Sequence, residues 1–338
     1  MSTPSAAPPG NAAPRRLIAV VVLVPVLAAL ALWAFAWPAA RTAPRDLPLG
    51  VAGPTAATAQ VERQLAQQDG AFEIHRYADE AAAREAIEDR TVYGAVVVTP
   101  QGPELLTASA ASPTVAQLLQ QAVTHQAAAE GTEVRTVDVV SASETDPRGA
   151  AFSASVLPLA LAGMAAGAAV TLLGLRGIHA VSALVGAAAL IGMTAAALAH
   201  SWLGVLTGGW WAEAGVLALS TLAVSAAVAG LAALIGAAGI GIVSFVVMFL
   251  GNPFSGASSA PQMLPEPVGT IGQWLPPGAG ASLLRSVSFF DGAAATGPAL
   301  TLTWWAALGL GAVLLGSALK ARTTTAEPAP ERELATVG

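Results

Sequence analysis

The chain has 338 residues, of which 54% are hydrophobic and 11% are charged, about half the charged share of an ordinary soluble protein. It contains no cysteine, which excludes disulfides, thiolate chemistry and cysteine metal sites. The net charge is −6, yet 15 of the 21 acidic and 8 of the 15 basic residues lie between Arg41 and Arg148. This division predicts one solvated domain and one membrane domain. The sequence has no basic run with interleaved aromatic residues, the pattern that would indicate nucleic-acid binding.

The amino-terminal region is predicted to be a tail followed by a membrane anchor. Residues 1–14 lack any periodic pattern, and their composition predicts a disordered tail. Arg15 and Arg16 then precede Leu17–Trp37, a run of 21 residues without a charge. At about 1.5 Å per residue the run spans a hydrocarbon core of about 30 Å, so we expect transmembrane helix 1 over 15–37. A cleaved signal peptide is the alternative, but its apolar core would be only about 7–15 residues long.

Residues 38–150 differ from the rest of the chain because short strand and helix patterns alternate there. Val92–Val98 is typical of a strand buried on both faces, and Asp79 and Ser112 are good helix N-caps. The order is strand, helix, strand, helix, strand, strand, helix, strand, which predicts an α/β domain. The predicted elements are Leu47–Ala52, Thr55–Gln68, Phe72–Tyr77, Asp79–Arg90, Val92–Val98, Pro103–Ala108, Ser112–Glu130 and Glu133–Val140.

A second membrane block, 151–251, contains the predicted transmembrane helices 2–5. Glu213 stands at the start of one of them, where we expect an interfacial residue rather than a proton relay. Gly163 and Gly167 form a G-x-x-x-G pattern that favours helix packing or dimerisation. The segments are Gly149–Leu175, a turn with Arg176 and His179, Ala180–Ala199, a tryptophan-rich turn over His200–Ala212, and helices 213–235 and 237–251 hinged at Gly236 to Gly239.

Residues 252–299 carry seven prolines and cannot form one continuous helix. Within them Ala279–Phe290 predicts an amphipathic helix. Two interpretations stay open: a re-entrant or interfacial cap over an exit path, or a long external loop with one surface helix. The exit-loop candidates are Pro261, Pro265, Trp274, Pro276, Pro277 and Arg285.

The chain closes with a predicted transmembrane helix 6 over 300–320 and a disordered tail over 321–338. Basic residues favour the cytoplasmic side of short loops, and tryptophans favour the membrane interface. With six spans, the basic residues that flank the helices face one side and all eight tryptophans face the other. We therefore predict a multi-pass plasma-membrane protein with both termini cytoplasmic and 38–150 extracytoplasmic.

The sequence shows no recognisable catalytic, metal-binding or cofactor-binding motif. There is no G-x-x-x-x-G-K-[ST] phosphate loop, and Lys320 is the only lysine. No catalytic constellation, metal-ligand set or cofactor motif stands out, and the four histidines lie far apart in sequence. The sequence therefore predicts no enzyme and no cofactor in this chain, and any ATP hydrolysis belongs to a separate subunit.

The layout resembles the ABC-2-type transporter permeases, in particular their phage-infection-protein-like branch. The resemblance covers about residues 15–322. Its motifs are Asp146-Pro147-Arg148-Gly149, Leu157-Pro158-Leu159, the spaced prolines of Asn252–Pro277 with Leu264-Pro265 and Leu275-Pro276, then Arg285 and Asp291-Gly292. Two departures from the family stand out: the loop at Gly174–Ala180 is shorter than a coupling helix, and the α/β insertion is uncommon among its best-understood exporters.

The resemblance implies a subunit that forms a homo- or heterodimer in the lipid bilayer and works with a cytoplasmic ATPase. It also implies export of an amphipathic or cell-envelope substrate. On this interpretation Arg15, Arg16, Arg176 and His179 form the ATPase contact. The alternative is a non-transporting surface protein whose external domain binds a partner such as a phage or a cell-wall component.

Overall fold

The computed structural model describes residues 12–100, 102–131 and 133–325. Five helices in this part of the chain are long and apolar enough to cross a membrane, and the apolar segment Ala237–Gly251 is shorter. The predicted count of six spans therefore stays a prediction. The five are Leu17–Ala40, Ala150–Leu172, Gly177–Trp202, Trp210–Ile235 and Thr296–Arg322.

The long helices extend beyond the charge-free runs that predicted them. Helix α1 covers Ala12–Ala40, so the predicted tail over 1–14 is wrong for 12–14, and residues 1–11 lie outside the described part. The last helix covers Thr296–Thr325, so the predicted tail is likewise wrong for 321–325, and 326–338 lie outside. The physical reason is that a helix continues past the hydrocarbon layer into the polar interface, where charges are tolerated.

The α/β domain contains the predicted elements in the predicted order. Its five-stranded sheet has the order β2-β1-β3-β4-β5, in which only the β3–β4 pair is antiparallel. Ile87 on one face and Leu105, Val115 and Leu119 on the other are almost fully buried. The bounds are β1 Leu47–Ala52, α2 Thr55–Ala66, β2 Phe72–Tyr77, α3 Glu80–Glu88, β3 Gly94–Thr99, β4 Gly102–Thr107, α4 Pro113–Glu130 and β5 Arg135–Asp138.

Four helices of the membrane block lie between the α/β domain and the proline-rich segment. They are α5 Ala150–Leu172, α6 Gly177–Ala196 with a π-helical continuation over Ala197–Trp202, α7 Trp210–Ile235, and α8 Ala237–Phe245 with a π-helical continuation over Val246–Gly251. The predicted tryptophan-rich turn over His200–Ala212 is too long, because both of its ends are helical. The predicted hinge lies at Gly236, whose φ of 77° is a conformation that favours glycine.

Helix α7 is the centre of the bundle, and small residues allow its neighbours to approach it closely. A Cβ added at Gly163 would lie 2.9 Å from Val224 Cβ, and one added at Gly167 would lie 2.5 Å from Ser225 O. Both glycines of the G-x-x-x-G pattern therefore pack inside the chain against α7, which leaves this face unavailable to a second copy. We call the end of the bundle that carries the α/β domain the domain end, and the opposite end, with the α5–α6 turn, the far end.

The proline-rich segment is a buried layer between the α/β domain and the bundle, which we call the cap (residues 255–291). It holds a short 3₁₀ turn at Pro261–Met263, α9 at Val268–Gln273 and α10 at Pro276–Phe289. Eleven of the 14 residues of α10 are buried, so a surface helix on a free external loop does not describe it. The final helix, Thr296–Thr325, is α11.

Apolar side chains join the cap to both neighbours. Met263 and Ala260 complete the core on one face of the sheet, and Phe290 completes the core on the other. Leu283 and Leu284 of α10 face the opposite way, into the core of the bundle. The cap therefore fixes the α/β domain on the membrane block through continuous apolar packing.

Candidate functional site: a cavity between the α/β domain and the cap

A cavity of about 540 Å³ lies where the α/β domain, the cap and the start of α11 meet. This is within the usual range for ligand pockets, about 300–1,000 Å³. The α/β domain contributes the amino-terminal ends of β1 and β3, the cap contributes α9 and α10, and α11 contributes its first turns. The lining residues include Pro48, Arg90, Tyr93, Gln262, Gln273, Trp274, Arg285, Pro298 and Thr301.

Arg90 reaches the cavity from the end of α3. It directly follows the C-cap residue Asp89, and its φ is 60°, in the left-handed region where glycine or asparagine is usual after a helix. For another residue type this conformation costs of order 1 kcal/mol. Its guanidinium donates to Ser282 O at 3.0 Å and to the Ser286 hydroxyl, and it lies 5.2 Å from the centre of the Phe290 ring.

Arg285 reaches the cavity from α10 and is 5% exposed. It donates one hydrogen bond, to Ala257 O at 3.1 Å, and lies 4.7 Å from the centre of the Phe152 ring. Both partners orient the guanidinium. Neither carries a charge that would neutralise it.

The electrostatics of the cavity follow from two cations that form no ion pair with the described residues, of which Arg285 is buried and Arg90 is half-buried. Burial, with a smaller contribution from the charge of Arg90, lowers the pKa of Arg285 to about 10. Burial also lowers the pKa of Arg90. Burial raises the pKa of Tyr93, while the nearby Arg90 and Arg285 act to lower it. Among the described residues, neither arginine forms an ion pair, although the exposed Glu266 stands at the rim.

Polar contacts fix the two walls of the cavity relative to each other. The Tyr93 hydroxyl donates to Gln262 Oε1 at 2.9 Å. On the same side Arg45 donates to Met263 O at 3.0 Å, and farther away Thr114 donates to Ser258 O at 3.1 Å. These bonds join residues far apart in sequence, so the cavity exists only in the folded chain.

The structure brings together three of the six exit-loop candidates. Pro261, Trp274 and Arg285 line the cavity. Pro265 is buried in the turn before α9, where its carbonyl accepts from the Val268 amide at 2.8 Å. Pro276 and Pro277 open α10, a position that suits proline because the first helical amides have no helix partner. They face α5 and α7 instead of the cavity.

The predicted ATPase-contact residues lie at the far end, away from the cavity. Arg176 and His179 are exposed, beside the exposed apolar side chains of Leu172, Leu173 and Ile178. His179 belongs to the first turn of α6, because the helix resumes at Gly177. Arg15 and Arg16 stand in the first turns of α1, and their side chains lie outside the described part of the structure.

The domain end also holds a buried acidic residue that corrects a prediction. Glu213 is 0% exposed, so it is not an interfacial side chain. Its carboxylate accepts from the Gly208 amide at 2.8 Å and contacts His200 Nδ1 at 2.8 Å. The π-helical end of α6 brings His200 to the first turn of α7, a placement that sequence separation does not reveal.

Sequence reasoning missed Arg90 and Tyr93 as site residues. Arg90 looks like an ordinary last-turn helix residue, and its backbone conformation leaves no trace in the sequence. Arg285 could have been singled out from the sequence, since it is the only charged residue between Val268 and Phe290 and directly follows Leu283 and Leu284. In the described residues no group of three or more His, Cys, Asp or Glu side chains could hold a metal ion.

Comparison with known families matches residues 15–145 to a family described as ABC-2 family transporter protein. No curated protein and no solved structure matches the chain. The matched range covers α1 and nearly all of the α/β domain, which is less than half of the 338 residues. This similarity, together with the long apolar helices, supports a multi-pass membrane protein and an ABC-2-type permease.

Proposed function

We propose that this chain is the membrane permease subunit of an ABC-type export system, working as a homo- or heterodimer with a separate cytoplasmic ATPase. The observation that carries the proposal is the family match over 15–145. It supports a permease component that does not itself hydrolyse ATP. Within the family we place the chain in the phage-infection-protein-like branch, on the resemblance of its layout and proline motifs.

The two ends of the bundle suit different tasks under this proposal. The far end exposes a short turn in which leucine and isoleucine side chains flank Arg176 and His179. An apolar patch with basic groups is the surface we assign to the ATPase contact, together with Arg15 and Arg16. The domain end, which we place outside the cell, carries the cap and the cavity where an amphipathic or cell-envelope substrate leaves the membrane block.

A reconstitution experiment tests the function. The full chain is purified in mild detergent, the ATPase that co-purifies is identified, and ATP hydrolysis is measured with both proteins in liposomes. Arg176→Glu places a like charge opposite any acidic partner group, so we expect ATPase stimulation to fall roughly fivefold or more. Arg63→Glu, a charge reversal on the exposed side of α2, is the matched control and should leave stimulation unchanged.

Two results contradict the proposal. The first is that no ATPase co-purifies with the chain and that cells lacking the protein still export envelope components. The other is stimulation that responds equally to the Arg176 and Arg63 reversals, which removes the far-end turn from the contact.

A further inference from the structure

The cavity at the domain end has the chemistry of an anion site. Its two arginines come from two elements, Arg90 from the end of α3 and Arg285 from α10, and neither forms an ion pair with a carboxylate of the described residues. Removing a guanidinium from water is strongly unfavourable unless an opposite charge compensates. An anion from outside the chain would compensate the buried Arg285 and the half-buried Arg90 together.

The partners that the chain does supply orient these groups and leave donors free. A guanidinium has five N–H donors, and Arg285 uses one of them on Ala257 O. Arg285 and Arg90 lie over the Phe152 and Phe290 rings, respectively. Arg90 also adopts a left-handed backbone conformation that glycine would adopt at lower cost. The backbone therefore gives no reason for arginine at this position, whereas the side chain does, through its contacts with Ser282, Ser286 and Phe290.

We propose that this cavity binds a phosphate-type oxyanion between Arg90 and Arg285. Two guanidinium forks approaching from different walls match the several oxygens of a phosphate group. Neutral polar side chains stand beside them, since Thr91 and Thr270 also line the cavity, as does Tyr93, whose hydroxyl donates to Gln262 Oε1. The exposed Glu266 at the rim lowers the affinity for an anion without filling the site.

The mouth of the cavity indicates that the oxyanion belongs to an amphiphile. Trp274, 67% exposed, borders the opening together with Pro298 and Thr301 at the start of α11. Tryptophan settles at the level of lipid headgroups, so a headgroup phosphate can enter while its chains stay in the bilayer. The assignment of this amphiphile to the exported substrate rests on the proposed function, whereas the binding does not.

Direct binding to the full chain tests the site without any ATPase, so its outcome is independent of the permease proposal. Isothermal titration in uncharged maltoside micelles uses three probes: dihexanoyl phosphatidylglycerol, inorganic phosphate and uncharged dihexanoylglycerol. We expect the phosphate-bearing amphiphile to bind and the uncharged lipid not to bind. Arg285→Gln and Arg90→Gln should each weaken binding about tenfold or more. Glu266→Gln should strengthen it, and Arg63→Gln, an exposed arginine elsewhere, should have no effect.

The probes also decide the source of the anion. Phosphatidylglycerol binding without phosphate binding identifies a lipid headgroup, and phosphate binding with the same arginine dependence identifies the free anion. Both results support the site. The site is overturned if neither phosphatidylglycerol nor inorganic phosphate binds, if the uncharged lipid binds equally well, or if binding is unchanged in a monodisperse Arg285→Gln variant.

A second pair of variants covers the case in which Arg285→Gln does not fold. Arg285→Lys keeps the charge but loses the fork of donors, so it should bind phosphatidylglycerol more weakly than the wild type. Glu266→Gln, at the exposed rim, should bind it more tightly. Unchanged binding in both of these variants overturns the site.

Discussion

The α/β domain and the helix bundle are packed on opposite principles. Large branched side chains fill the sheet core, where Leu105 and Ile87 are fully buried. In the bundle, glycines and alanines bring helix backbones into contact, as Gly192 does with Ala214 and Ala218 on α7. Many large apolar side chains of the bundle point outward, as Leu308 does with 67% exposure.

The difference reflects the two solvents. In water, removing apolar surface drives folding, so large side chains belong inside. In a bilayer the surroundings are as apolar as leucine, and helices associate through close packing that small residues permit. The cap between the α/β domain and the bundle shows both kinds of packing. Met263 places a large side chain in the sheet core, and Gly280 packs closely against Ser220 of α7.

The largest effect should come from a large side chain placed at a helix contact. A Cβ at Gly309 of α11 would lie 2.6 Å from the Ala226 carbonyl oxygen of α7, so Gly309→Leu must separate the two helices. We expect destabilisation of about 3 kcal/mol or more, read as loss of monodisperse protein and a lower Tm in detergent. Gly311→Leu is the matched control, because nothing lies within 4 Å of its added Cβ. Equal behaviour of the two variants would remove close packing as the basis of the bundle.

A large-to-small substitution should destabilise the α/β domain. Leu105→Ala deletes a fully buried side chain from β4 and leaves a cavity, so we expect a loss of about 3 kcal/mol and a lower Tm for the α/β domain. Leu308→Ala removes the same atoms from a bundle residue that faces outward and should change the Tm little. A larger loss from Leu308→Ala than from Leu105→Ala would contradict the contrast between the two regions.

The smallest effect concerns a charge pair on the surface of the α/β domain. Arg76 Nε lies 2.6 Å from Glu62 Oε1, and this hydrogen bond holds the pKa of Glu62 below its ordinary value of 4.5. A carboxylate whose pKa is lowered by folding stabilises the fold above its unfolded pKa and loses that contribution as pH falls. The Tm difference between the wild type and Glu62→Gln should therefore shrink as pH falls through 4.5.

Glu85→Gln, on the exposed side of α3, is the control for that titration. It should give a Tm difference that stays small at every pH. A Tm difference between the wild type and Glu62→Gln that grows as the pH falls would contradict a stabilising pair of Glu62 and Arg76.

Much of the fold could be predicted because its signals are local. Secondary structure is determined by nearby residues in the valine-rich strands, at helix caps such as Asp79 and Ser112, and in the long charge-free runs. The structure has these elements in the predicted order. The ends of the spans were less accurate, since apolar composition stops at the membrane surface while the backbone hydrogen bonds of a helix do not.

The sequence by itself determined the segregation of the chain into an acidic α/β domain and an apolar helix block, because composition and periodicity are local properties. Only the tertiary structure decided that the proline-rich segment becomes a buried cap. It also decided that Arg90, from α3, meets Arg285, from α10, at one cavity. Contacts between residues nearly two hundred positions apart depend on how the two regions pack together, and no local pattern encodes that packing.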